Sequence, residues 1–174
     1  FKPSSQFEVF KQFWTENELE RCLQGRFKED QGFEWGISIL LTLCGFNVHW
    51  IGWLRGQVAL GGVDLFSFHN DILIVGECTV GTVGNDEIDK LLQAVGEIHE
   101  TLGLKEKTTT LKIVPVIFTC VKKISNETKE SANKSGIRIK DLGDIMEIFN
   151  ALRMNKPKEA IINLLTEPRV LPMT

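Results

Sequence analysis

Two apolar runs, GGVDLFSF and ILIVGECTV, flank the polar break His69-Asn70-Asp71. Both runs are rich in β-branched and aromatic residues, so the pattern predicts a β-hairpin closed by a two-residue turn at Asn70 and Asp71. That register sets Asp64 opposite Glu77 on one face of the sheet. Alternation along the second strand puts Leu73, Val75, Glu77 and Thr79 on one face and Ile72, Ile74, Gly76 and Cys78 on the other. Both faces are apolar as far as Gly76, which predicts a central strand covered on both sides.

The remaining elements follow from periodicity and punctuation. Ser5-Gln6-Phe7-Glu8 and Thr15-Glu16-Asn17-Glu18 match the capping-box pattern and predict two short helices, the second stopped by Gly25. Residues 26–31 are charged and read as a loop. Ile37, Leu40, Leu41 and Cys44 keep helical spacing, and Gly45 ends that helix. A short strand over 47–52 and a Gly-rich connection then lead to the hairpin. Ile88, Leu91, Leu92, Val95, Ile98 and Leu102 form the apolar stripe of a helix over 85–102. Residues 112–120 form an apolar strand in which Pro115 requires an edge position or a bulge. Beyond it come a helix over 126–134 stopped by Gly136, a strand over 137–140, and helices over 142–153 and near 158–165. From Phe33 the order is helix, three strands, helix, strand, helix, strand, helix. This is an α/β pattern implying a mixed central sheet flanked by helices on both faces.

Length and composition narrow the class. At 174 residues and 43% hydrophobic, the chain can bury one sizeable core and is most simply one domain. No apolar run reaches the roughly 18 residues that cross a bilayer, so no membrane partner is expected. No basic-then-apolar signal opens the sequence. The chain begins at Phe1, which suggests a piece of a longer polypeptide with additional domains. Cys22, Cys44, Cys78 and Cys120 show no CxxC spacing, which disfavours zinc and fits reduced thiols in the cytoplasm. The net charge of −3 conceals an asymmetry: residues 1–100 carry −8 and residues 101–174 carry +5. A basic half beside an acidic site suits a polyanionic substrate with bound cations, although ordinary solvated lysines give the same count.

The acidic pair is the strongest chemical signal. Directly opposed residues in an antiparallel pair have Cβ atoms about 5 Å apart, and like charges at that distance repel. A divalent cation held between them reverses the sign. Glu77 would emerge at the end of a buried strand, where an uncompensated charge costs several kcal/mol. Oxygen-only ligation with open water positions suits Mg²⁺ or Mn²⁺ better than zinc. Arg, Lys or backbone donors could satisfy the same carboxylates. A third acid, Glu34, stands three residues before Ile37 and seven before Leu41, on the apolar face of the first core helix. It either points toward the hairpin or complements the helix dipole.

The strings FEWGISILLTLCGFNVHW, GGVDLFSF and ILIVGECTVG together resemble the core of the PD-(D/E)XK nuclease superfamily, most closely the Mrr-like restriction endonuclease catalytic domains. The stretch VIFTCVKKISNETKESANKSGIRIKDLGDIMEIFNAL resembles that group as well. The resemblance covers about residues 32–153 and implies a restriction-endonuclease-like αβββαβ core. Residues 1–31 then form an N-terminal helical extension and 154–174 a C-terminal helix and tail. It implies that Asp64 and Glu77 are metal ligands and that Glu34 is an auxiliary ligand. The family pattern calls for Lys two residues after the Glu, where this chain has Thr79. Members of the superfamily sometimes move that lysine to the following helix, and Lys90 is the candidate, with a solvated helix lysine the alternative. Gln93, one turn on, matches a substrate-supporting Gln. Arg55, with Gln57 in the Gly-rich 52–62 loop, could touch a phosphate backbone.

The expected reaction is metal-assisted phosphodiester hydrolysis of nucleic acid, with DNA the default substrate and RNA the alternative; a homodimer is one expected assembly. The competing expectation is a nuclease fold that has lost catalysis and serves as a nucleic-acid-binding or assembly module. Cys78 with His99 as a nucleophilic pair carries little weight, because Cys78 faces away from Glu77. His49 and His69 read as strand-end residues. Trp14, Trp35, Trp50 and Trp53 read as packing residues rather than base-stacking platforms.

Overall fold

The structure, a computed structural model, describes residues 15–26, 32–51, 62–101 and 110–168. The predicted helix opening at Ser5, and Trp14, Trp53, Arg55 and Gln57, lie outside the described residues. The elements run α1 (Glu16–Leu23), α2 (Gly32–Leu43), β1 (Asn47–Trp50), β2 (Leu65–His69), β3 (Ile72–Thr79), α3 (Asn85–Thr101), β4 (Lys112–Thr119), α4 (Asn126–Lys134), β5 (Arg138–Lys140), α5 (Leu142–Arg153) and α6 (Lys158–Thr166). Thr15 caps α1 and Asp141 caps α5, each in a reciprocal capping box with Glu18 and Asp144.

One five-stranded sheet has the order β1-β2-β3-β4-β5. The first three strands pair antiparallel, and β3, β4 and β5 pair parallel. The sheet is therefore mixed, with β3 at its centre, as the doubly apolar pattern of that strand requires. His69 pairs with Ile72 across a turn in which Asn70 adopts φ 52°, a left-handed conformation that Asn tolerates well. Pro115 pairs with Val75, whereas β5 begins opposite Val116. At Pro115 the strand is a local edge, and the missing N–H removes little from the ladder.

Alternation of β3 sorts the core into two layers. Ile74 joins Leu65, Phe118 and Phe149 in a cluster with α1, α2, α5 and α6. Leu73 and Val75 join Leu91, Ala94 and Ile98 of α3, and Ala132 of α4, on the other face. Phe118 and Phe149 are fully buried, each burial contributing about 1.5–3 kcal/mol relative to exposure. Leu19, Cys22 and Leu23 of α1 are also fully buried. Gly36 permits the close approach of α2 to α1, because a Cβ there would sit 2.8 Å from Cys22 Cβ and 3.3 Å from backbone atoms of Cys22 and Leu23. All four cysteines are free thiols. Among the described residues, no helix is long and apolar enough to cross a membrane.

Candidate active site

Glu77 is the sixth residue of β3, close to its carboxyl end, on the face covered by α3. The hairpin keeps the predicted register through Leu65–Gly76 but ends there. Asp64 lies one residue outside the ladder, and its N–H donates to Gly76 O at 3.0 Å. Alternation breaks at this point: Leu65 packs in the α2 layer, whereas Val63 joins the α3 layer. The chain bends at Asp64, and its carboxylate turns along β3 rather than standing opposite Glu77. Cys78 N–H donates to Asp64 Oδ2 at 2.7 Å, so a main-chain donor meets part of the aspartate's charge.

Glu77 is 5% exposed, and Asp64 is 7% exposed. Lys90, in the second turn of α3, donates from Nζ to Glu77 Oε1 at 3.1 Å. Glu77 Oε2 is buried and has no hydrogen-bond partner among the described residues. Burial raises the Glu77 carboxyl above its ordinary pKa; the Lys90 hydrogen bond and charge oppose the rise, and Glu87 and Glu34 add to it. The Glu77 hydrogen bond raises Lys90 above the usual lysine value, against its desolvation and with help from the charges of Glu77, Asp64 and Glu87. Cys78 is held as a thiol well above its ordinary pKa, first by burial and then by the charges of Asp64, Glu34 and Glu77. It is no nucleophile in this setting.

Glu34 approaches from the opposite layer. It is 4% exposed in the first turn of α2, and Trp50 Nε1–H donates to its Oε2 at 3.1 Å. Trp50 ends β1 opposite Leu65, and Ile51 N–H donates to Asp64 O at 2.8 Å. The indole therefore ties Glu34 to the strand that enters the bend. Among the described residues, no three His, Cys, Asp or Glu side chains stand close enough to share one metal ion. Asp64, Glu77 and Glu34 are thus three buried acids, the first bonded by a main-chain N–H, the second by a lysine and the third by an indole.

The other candidates are placed as follows. Thr79 Oγ1 accepts Gly81 N–H at 3.2 Å and braces the turn that follows β3. Thr119 Oγ1 donates to Gly81 O at 3.0 Å, fastening the same turn to the end of β4. Gln93 is exposed, and its Nε2 donates to Glu97 Oε1 at 2.9 Å, so it is engaged on the outer surface of α3 rather than at the carboxylates. His69, at the turn end of β2, contacts Gly45 O through Nδ1 at 3.0 Å, and His49 of β1 packs on Phe68. Lys122, Lys123 and Arg138, which sequence motifs did not single out, line a cleft at the far side of the sheet. Their only sequence signal was the positive charge of the C-terminal half.

The acids offer only oxygens, and a buried carboxylate oxygen that meets no donor among the described residues, as at Glu77 Oε2, is what a hard divalent cation would satisfy. No family model matches the chain, and no curated protein matches it. Among solved structures it matches the small subunit of the heterodimeric restriction endonuclease R.BspD6I with a TM-score of 0.52 and 12% identity, covering 87% of this chain and 96% of that one. The chain has a restriction-endonuclease-like α/β fold.

Proposed function

We propose that this chain is a metal-dependent nuclease domain of the PD-(D/E)XK type, of Mrr-like character, that hydrolyses phosphodiester bonds in nucleic acid, with DNA as substrate. The observation that carries the reading is Glu77 on a fold of this kind. Its Oε1 is held by Lys90, and its Oε2 is buried at the carboxyl end of the central strand without a donor among the described residues. Asp64 and Glu77 would hold Mg²⁺ or Mn²⁺, which when bound supplies Lewis acidity and lowers the pKa of water. Lys90 supplies the fixed positive charge that the motif usually places at position 79, offsetting charge that develops on the phosphate. Its ammonium, half exposed and 3.1 Å from Glu77, can reach a water beside that carboxylate. Thr79 carries no charge, and its hydroxyl serves the Gly81 turn. Glu34 positions β1 through Trp50 instead of standing as a third ligand. The structural neighbour is the small subunit of a heterodimer, which supports assembly of this chain with a second subunit.

A second reading, a degenerate nuclease fold kept for nucleic-acid binding or assembly, is favoured by one observation. No third acidic or nitrogen ligand joins Asp64 and Glu77 among the described residues. Plasmid nicking in Mn²⁺ or Mg²⁺ separates the two. Under the nuclease reading the wild type cuts, EDTA stops it, and Asp64→Ala and Glu77→Ala abolish it. Lys90→Ala lowers the rate about 10²-fold, the usual loss for one stabilising donor. Absence of cutting in either metal, or cutting that survives both carboxylate variants, rejects it.

A further inference from the structure

The nuclease reading leaves open how the substrate is held beyond the carboxylates. Registers across the parallel strands give a direction. Glu77 is level with Ile117 of β4, and Ile117 with Ile139 of β5. At about 4.8 Å per strand, Ile139 lies about 10 Å from Glu77 across the sheet. One nucleic-acid strand advances about 3.4 Å per nucleotide, so that distance spans roughly three nucleotides.

At Ile139 a cleft of about 420 Å³ opens between α4, β5 and the segment that follows β4. Lys122, Lys123, Lys129, Arg138 and Lys140 line it, against the acids Glu130 and Asp141. Two of these cations are engaged internally: Lys129 pairs with Asp141 and Asp144, and Lys140 Nζ donates to Glu167 O. Lys122 and Lys123 are exposed and have no acidic partner among the described residues. Arg138 has a buried Nε–H without an acceptor among the described residues, and its Nη1 reaches Asn133 Oδ1 only at 3.4 Å. A half-buried guanidinium that lines the cleft and has no ion pair with a carboxylate among the described residues is a ready partner for a phosphate oxygen. The nearby Glu167 carboxylate pairs with Lys112 instead. Open parallel sheets bind ligands at the carboxyl ends of their strands, and Lys122 and Lys123 follow that end of β4.

We infer that the nucleic-acid backbone crosses from the Asp64–Glu77 site along the carboxyl ends of β4 and β5 into this cleft, where Lys122, Lys123 and Arg138 hold its phosphates. This rests on the nuclease reading for its starting point, but its test does not need cutting. Anisotropy of a short labelled DNA duplex, measured in EDTA over a salt series, reads binding alone. Lys122→Ala with Lys123→Ala is expected to weaken binding at least 10-fold and to lower the slope of log K against log salt by about 2; Arg138→Gln should lower it by about 1. The exposed lysine pair can be removed without threatening the fold, so its result stands even where Arg138→Gln melts early. Unchanged affinity and slope in the lysine double variant overturn the inference even where nicking depends on Asp64. Tight binding of a mononucleotide that the variants abolish, with duplex binding untouched by them, also overturns it and makes the cleft a nucleotide site. Absence of nicking with binding lost in the cleft variants rejects the nuclease reading and keeps the cleft.

Discussion

Glu77 holds a position that stability alone disfavours. Its folded pKa is raised by burial, so its carboxyl contributes stability at low pH that is lost as pH rises through that value. At neutral pH the carboxylate therefore weighs against the fold, and Lys90, half exposed, recovers only part of the cost. Glu77→Gln should raise the melting temperature in EDTA near pH 7 by a few degrees, at about 2–4 °C per kcal/mol relieved. The gain should shrink as the pH is lowered and the wild-type group protonates. Thermal melts of both proteins across that range test it, and a Gln variant that melts lower at pH 7 would contradict it. A residue that impairs stability while sitting at a strand end beside a cation is the signature expected of a functional acid.

Among the elements, α4 and α5 are joined by a buried charge cluster. Lys129 of α4 is mostly buried and pairs with Asp141, the α5 cap, at 2.8 Å, and with Asp144. Burial alone would raise the Asp141 carboxyl. The Lys129 hydrogen bond, the N–H groups of Asp144 and Ile124, and the Lys129 charge outweigh it, leaving the group below its ordinary pKa. A depressed carboxyl contributes stability present above its unfolded pKa of about 4 and lost as pH falls through its folded value. Lys129→Met, which removes the cation shared by two buried carboxylates, should cost about 3–5 kcal/mol at pH 7. The deficit should narrow as acid neutralises Asp141; urea unfolding at a series of pH values reads both effects. The same cluster explains why the neighbouring Lys122 and Lys123 remain available while Lys129 does not. The charge asymmetry announced a basic half, but which lysines are committed depended on where α4 meets α5.

At the scale of the whole molecule, α1 belongs to the same packed layer as α2 and α5, since Leu19 and Leu23 lie inside that cluster. Leu23→Ala should therefore cost about 2–5 kcal/mol and shift one cooperative transition, without releasing a separate early phase. Calorimetry with two resolved transitions would show instead that the α1 end melts by itself. The mixed sheet and its two helical layers were legible in the sequence because they rest on short-range signals. Period-2 runs defined β2 and β3, the stripe from Leu91 to Ile98 defined α3, and Gly25, Gly45 and Gly136 each adopt the positive φ that ends a helix or turn. The strand register was legible too, since a two-residue turn at Asn70 permits few alternatives.

The site was legible only in part. Sequence alone pointed to Asp64 and Glu77, because a carboxylate interrupting an apolar strand is visible in one dimension, whereas Lys90 was suggested only by the family resemblance. It determined which side chains share a face within the Leu65–Gly76 ladder and which strand is central, since alternation and turn chemistry act over a few residues. It did not determine the bend at Asp64, the Cys78 N–H that receives its carboxylate, or the indole bond that holds Glu34. Nor did it fix the Gln93 contact with Glu97, or the cleft that gathers Lys122, Lys123 and Arg138. These were decided by tertiary structure, because each depends on how helices distant in sequence settle on the sheet. No local pattern encodes the ångström-scale distances that result.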